Sequence, residues 1–192
     1  MESRWKHNSR FYPSFRSSPR LENHLPPPQN IKYPLKAPET FDLREAYPNC
    51  ETLKEIRDQA NCGSCWAFGA AEAMSDRICI QSGQKFQTRV STEYLVTCWS
   101  ECGFGCSGGW PGQAFNFWMT TGIPTGGMYN DTSTCQLYFL PNCDHHCEGK
   151  YGPCPETTVE PECSQECIKE YGKVLEEDKS YGLNSYSVFG DI

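Results

Sequence analysis

Thirteen cysteines in 192 residues constrain this chain more than any other feature of it. In a reducing compartment so many thiols usually hold metal, whereas in an oxidising one they pair into a covalent framework. These are scattered rather than grouped in repeated Cys-x-x-Cys pairs, which favours disulfides over zinc. The amino terminus, Met1-Glu2-Ser3-Arg4-Trp5-Lys6, lacks the apolar stretch of a secretory signal. An oxidised framework without a leader reads as an incomplete chain. No run of eighteen apolar residues is present, so no helical membrane span is expected.

Charge divides the sequence in two. Residues 1–38 carry seven basic and two acidic residues, seven of the fourteen prolines and no cysteine. That composition belongs to a linker or pro-segment, not to a packed core. Residues 39–192 carry ten basic and twenty-two acidic residues, and so acidic a body argues against nucleic acid as a partner. The folded part is expected to begin near Phe41-Asp42-Leu43.

Three helices are legible. The first starts at Ser64 or Cys65 and runs to about Ile80, with Trp66, Ala70, Met74 and Ile78 forming a buried stripe. The second opens on Ser91 as N-cap, with Glu93 in its first turn, where the helix dipole favours an anion. The third opens with Pro111 and ends at Gly122; Ala114, Phe115, Phe117, Trp118 and Met119 make it apolar almost all round, as in a buried helix. From Gly126 onward periodicity fails, and loops held by cross-links are expected.

The run Gln59-Ala60-Asn61-Cys62-Gly63-Ser64-Cys65-Trp66 carries the chemistry. A thiol attacks as thiolate, and a cysteine at a helix N-terminus is acidified by the dipole and the free N–H groups. Cys65 is therefore the candidate nucleophile and Cys62 a structural partner. Gly63 is read as the residue that lets the backbone turn tightly into the helix. Gln59 would aim its amide, with the Cys65 N–H, at a developing oxyanion. A Cys62–Cys65 redox pair, as in a thiol-disulfide oxidoreductase, is the competing reading. It wants an apolar strand before the motif, and Glu55-Ile56-Arg57-Asp58-Gln59 is poor strand material.

Five separated blocks make the reading specific: Ile56-Arg57-Asp58-Gln59, CGSCWAFGAAEAMSDRICIQSG (62–83), CGFGCSGGWP (102–111), CDHHCEGKYGPC (143–154) and YGLNSYSV (181–188). Together they resemble the cathepsin B-like branch of the papain family of cysteine peptidases. The resemblance implies an α+β, papain-like fold, of which 39–192 would be the helical, disulfide-rich, nucleophile-bearing domain and 1–38 a pro-segment remnant. It implies peptide-bond hydrolysis by endopeptidase and peptidyl-dipeptidase routes, and peptide or protein substrates. It further implies cystatin-like inhibitors as partners, a lysosomal or extracellular location, and neither cofactor nor metal.

Residue by residue, the family implies that Gly108 and Gly109 present backbone to an extended substrate and that Trp110 lines a pocket; turn glycines and a core aromatic are the plainer reading. The 143–154 segment resembles the family's occluding loop, in which His145 and His146 would receive a substrate's terminal carboxylate. Zinc held with Cys143 and Cys147 is the alternative for those histidines. Asp58 matches the carboxylate that tethers the first loop histidine. Tyr151 stands where a second, arginine tether is usual. The inherited bridges would be Cys50–Cys79, Cys62–Cys106, Cys98–Cys163, Cys135–Cys167 and Cys143–Cys154. Trp99 occupies a usual cysteine position and Cys147 is extra, which leaves a Cys102–Cys147 bridge or two unpaired thiols. The family's catalytic histidine lies at least about 130 residues beyond the nucleophile, past Ile192. The sequence thus reads as a peptidase given in part, with a naturally truncated, non-catalytic secreted binding module as the alternative.

Overall fold

The computed structural model describes residues 5–7, 38–146 and 148–185. Its helices are α1 (Leu43–Ala46), α2 (Cys65–Gln81), α3 (Thr92–Cys98), α4 (Pro111–Thr120) and α5 (Leu175–Asp178). The strands are short: β1 (Trp5–His7) pairs antiparallel with β4 (Ser180–Gly182), and β2 (Gly126–Gly127) pairs parallel with β3 (Gln136–Leu137). The architecture is α+β and helix-rich, the sheet content being confined to two small ladders among the described residues.

The longest helix, α2, forms the axis of the core. Trp66, Ala70, Met74 and Ile78 are buried as their four-residue spacing predicts, and Ala67, Phe68, Ala71, Ser75 and Cys79 widen the stripe into a broad face. Small residues at 67, 70 and 71 let Tyr94 and Leu95 of α3 and Phe115, Phe117 and Trp118 of α4 pack into the same cluster. Ser75 is buried without penalty: its hydroxyl donates to the Ala71 carbonyl (2.6 Å) and accepts the Val90 N–H (2.9 Å). The start of α3 is fixed as expected, with the Ser91 hydroxyl accepting the Tyr94 N–H at 3.0 Å.

Two helical readings need correction. Helix α4 is not apolar all round, because Met119 is exposed and the buried face is Ala114, Phe115, Phe117 and Trp118. Glu93 does lie in the first turn of α3, but its carboxyl is largely buried and accepts the Phe139 N–H at 3.1 Å. Burial pushes it up to about 7, the Phe139 N–H only partly opposing the shift. Desolvation outweighs the dipole there.

Beyond Gly126 cross-links replace periodic packing. The bridges present are Cys50–Cys79, Cys62–Cys106, Cys98–Cys163, Cys135–Cys167 and Cys143–Cys154, the pairs that the family resemblance implies. Cys102 is a free thiol with no exposed surface, set within the core cluster, so it is not bridged to Cys147, which lies outside the described residues. Burial pushes its thiol up to about 12, Glu101 adding to the effect. It packs as a small hydrophobe. Nearby Trp99 stacks on Phe117 with ring centroids 4.4 Å apart.

Candidate active site

Cys65 is the first residue of α2 and its thiol is exposed, in contrast to Cys102. The approach to it is built by the Cys62–Cys106 bridge, which ties the stretch of chain before the helix to the 102–110 loop. Gly63 sits at the tight turn its motif suggested, with the Ser64 N–H donating to the Cys62 carbonyl across it at 2.8 Å, and it is required for a second reason as well. A side chain at 63 would overlap the Cys106 carbonyl, with which the backbone is in close register through the Gly63–Ser107 bridge. Close approach excludes a Cβ at this position.

The residue that needs the left-handed region is Ala60, at φ 52° immediately after Gln59. Its N–H is held by the Asp58 carboxylate at 2.8 Å, so the strained turn that sets Gln59 is supported from one residue earlier. Asp58 also accepts the Cys143 N–H at 3.3 Å and contacts His145 Nε2 at 3.1 Å. Burial pushes this carboxyl up, but the Ala60 N–H, the His145 ring and the Cys143 N–H outweigh it and hold it below its usual range. One carboxylate therefore fixes both the Gln59 turn and the base of the 143–154 loop. His145 is partly exposed at this contact, and His146 is exposed at φ 61°. Inside the loop, Asp144 accepts the N–H groups of Tyr151 (3.1 Å) and Gly152 (2.7 Å), which stiffens it without a second ionic tether at Tyr151.

On the other side of the thiol, the 102–110 loop lies against Trp66. A Cβ on Gly109 would sit 2.5 Å from the Trp66 ring, so the chain runs over the indole face, and the Trp66 N–H donates to the Gly105 carbonyl at 3.1 Å. Gly108 adopts φ 106°, which only glycine holds without strain. Trp110 is exposed and meets the exposed Phe104 edge-on, centroids 5.6 Å apart, making an open aromatic wall. Phe104 escaped the sequence reading; its position between two glycines of a cysteine loop is the one available hint. Glu160 escaped it too, and its carboxylate accepts the Cys106 N–H at 2.6 Å, clamping this loop from a segment 54 residues away.

Cys143, His145 and Cys154 lie close enough together to resemble a metal cluster, but both sulfurs are spent on their disulfide. No described helix is long and apolar enough to cross a membrane.

The model of the papain family cysteine protease matches residues 37–186. A cathepsin B-like cysteine proteinase of Schistosoma japonicum is 47% identical over 155 residues, covering 80% of this chain and 45% of the relative. Cathepsin B-like cysteine proteinase 6 of Caenorhabditis elegans is 45% identical over 161 residues, covering 82% of this chain and 42% of the relative. Among solved structures, procathepsin B S9 from Trypanosoma congolense superposes with a TM-score of 0.54 at 34% identity, over 71% of this chain and 40% of that one. The chain thus spans less than half the length of the curated relatives it matches. An exposed thiol at a helix start, a glycine loop laid over Trp66, a histidine loop pinned to Asp58 and these matches lead to one assignment: the chain belongs to the papain family of cysteine proteases, in its cathepsin B-like branch.

Proposed function

We propose that this chain supplies the nucleophile-bearing part of a peptidase that cleaves peptide bonds through Cys65, releasing C-terminal dipeptides and cutting internally when its histidine loop opens. The observation that carries this reading is the contrast between the free thiols: Cys65 is exposed at the start of a 17-residue helix, while Cys102 is fully buried. Attack by the Cys65 thiolate on a peptide carbonyl would place the oxyanion at the Cys65 N–H, one of the orphan donors of a helix start, and at the Gln59 amide. Gly108 and Gly109 would pair with the extended substrate, and Trp110 with Phe104 would hold an apolar side chain. His145 and His146 would meet a terminal carboxylate, with Asp58 keeping the loop closed. The proton of Cys65 must pass to a base, and His145 is already engaged by Asp58. Residues 1–38 would act as part of a pro-segment. Peptide and protein substrates, cystatin-like inhibitors and a lysosomal or extracellular location follow from the same reading.

The test is a chimera in which residues 39–185 replace the matching segment of a full-length cathepsin B-like relative. It should release dipeptides from a peptide C-terminus, and Cys65→Ser should abolish the release. A correctly oxidised chimera without activity would refute the reading. The chain alone should alkylate at Cys65 but turn over no peptide; turnover would show that a base is present within it.

A further inference from the structure

The buried tyrosine behind the thiol has no part in the scheme above, yet its hydroxyl touches both residues that flank the chemistry. Tyr138 is 1% exposed, and its oxygen lies 2.9 Å from the Ser64 hydroxyl and 2.9 Å from the Gln59 carbonyl. Those partners are 74 and 79 residues away in sequence and sit on either side of the Cys62–Cys106 bridge region that leads to Cys65. Donor logic fixes the direction of the chain. The Gln59 carbonyl can only accept, so the single phenolic proton goes to it. Ser64 must then donate to the Tyr138 oxygen, its other acceptor being the Cys62 carbonyl at a weak 3.5 Å.

That direction matters because Ser64 is the N-cap of α2. A capping serine normally accepts an N–H of the first helical turn, and Ser64 makes no such side-chain bond. Its hydroxyl is turned inward to the tyrosine instead. Of the N–H groups a serine cap can take, that of Ala67 is already held by the Ser64 carbonyl at 2.9 Å, so the Trp66 N–H, next to Cys65, is the one left open to the thiolate.

The post itself is rigid. The Tyr138 N–H donates to the Gly127 carbonyl at 3.0 Å, and the next residue is held by Glu93 through its N–H. The ring meets Phe68 of α2 edge-on, centroids 4.9 Å apart. Burial raises the phenol well above its ordinary range, and the facing carboxylates Glu93, Asp58 and Glu160 raise it further, so it stays a donor throughout the working pH of the site.

The geometry points to Tyr138 as a positioning residue of the thiol site, one that diverts the Ser64 hydroxyl from the start of α2 and fixes the Gln59 carbonyl, keeping the Trp66 N–H beside Cys65 free for the thiolate. This rests on the peptidase reading for its purpose, but its first test does not need peptide hydrolysis.

In the chain itself, site-resolved alkylation by iodoacetamide is followed at Cys65 against pH, with buried Cys102 as the internal record of an intact fold. In Tyr138→Phe the freed Ser64 hydroxyl caps the helix. Alkylation of Cys65 at acidic pH then slows by about threefold or more, its midpoint rising by about half a pH unit. Removing the competitor as well, in Ser64→Ala/Tyr138→Phe, restores the midpoint, which a packing defect would not do. Ser64→Ala alone alkylates at the parental rate or up to about twofold faster. This single variant also decides the matter if Tyr138→Phe does not form its bridges, because a slower Ser64→Ala overturns the assignment. An unchanged rate in folded Tyr138→Phe, or a double variant that stays slow, overturns it too. In the active chimera, Tyr138→Phe lowers kcat about tenfold with KM within about twofold, the signature of a loss felt in the transition state. Alkylation results of this kind stand whether or not the chimera hydrolyses peptides, so failure of the positioning role and failure of the peptidase reading are separable.

Discussion

The α2–α4 core and the region from Gly126 to Ser185 hold their shape by different means. In the first, Trp118, Tyr94, Met74 and Leu95 are fully or almost fully buried and share one apolar cluster. In the second, two-residue strands and turns are secured by Cys135–Cys167 and Cys143–Cys154, and by polar contacts such as Asp178 to Thr125 at 2.6 Å. Burial works by removing surface from water in the folded state, whereas a cross-link works chiefly by restricting the unfolded one. The thiol site lies on the seam. Cys65 belongs to the packed region, and Tyr138 and His145, which hold its surroundings, belong to the cross-linked one.

If that contrast is right, Trp118→Ala should be the most damaging single change, costing about 3–5 kcal/mol as a large cavity opens beside Ser180. Its indole N–H donates to the Ser180 hydroxyl at 3.0 Å, and that bond is lost as well, leaving Ser180 only its 3.3 Å bond to the Ile123 carbonyl. Denaturant unfolding should show the whole domain lost in one transition. Removing Cys135–Cys167 with two serines opens a 32-residue loop and should cost about 3.5 kcal/mol. Here native-state hydrogen exchange should rise first around β2 and β3 while α2 stays protected. Equal loss of protection in both regions would erase the distinction.

Glu93 sharpens the comparison, since it is an α3 residue holding Phe139 of the cross-linked region. Its folded-state pKa is raised, so the protein favours its neutral form, and stability falls as pH rises from the unfolded value through about 7. Glu93→Gln should therefore be the more stable protein at pH 8, by an amount on the order of 2 kcal/mol, with the advantage gone near pH 4. A difference that is constant across this range would mean the carboxyl is solvated.

The smallest effect expected is at the loop tether. His145 and Asp58 are both partly exposed, and replacing His145 with alanine should cost about 1 kcal/mol or less. Protease nicking within 143–154 should increase all the same. In the active chimera the ratio of internal cleavage to dipeptide release should rise at acidic pH. An unchanged ratio would remove this loop from the specificity of the enzyme.

Local signals made α2 and α3 legible, because capping residues and four-residue spacing act within one turn of the chain. The close approach at Gly63 was missed, and Met119 and Glu93 were misread, for the opposite reason. What surrounds them, the Cys106 carbonyl, open solvent and Phe139, is set by chain far away in sequence. Tyr138 and Phe104 carried no periodic signal at all, since each lies in a cysteine-rich loop and its role depends on where cross-links bring it. Motif likeness supplied the Cys65, Asp58 and His145 positions, but it could not supply the hydroxyl that joins Gln59 to Ser64.

Cys102 bears on how faithfully the bridges are kept during oxidative maturation. Its neighbours four residues away on either side, Cys98 and Cys106, both end in bridges to distant partners, while Cys102 ends with no exposed surface. An accessible thiol in that position would attack either bridge and reshuffle it. Withdrawal of Cys102 into the apolar cluster therefore takes it out of exchange with its neighbours' bridges. A lesion in the core that exposes Cys102 should show itself as scrambled sulfur chemistry before it shows itself as lost helix.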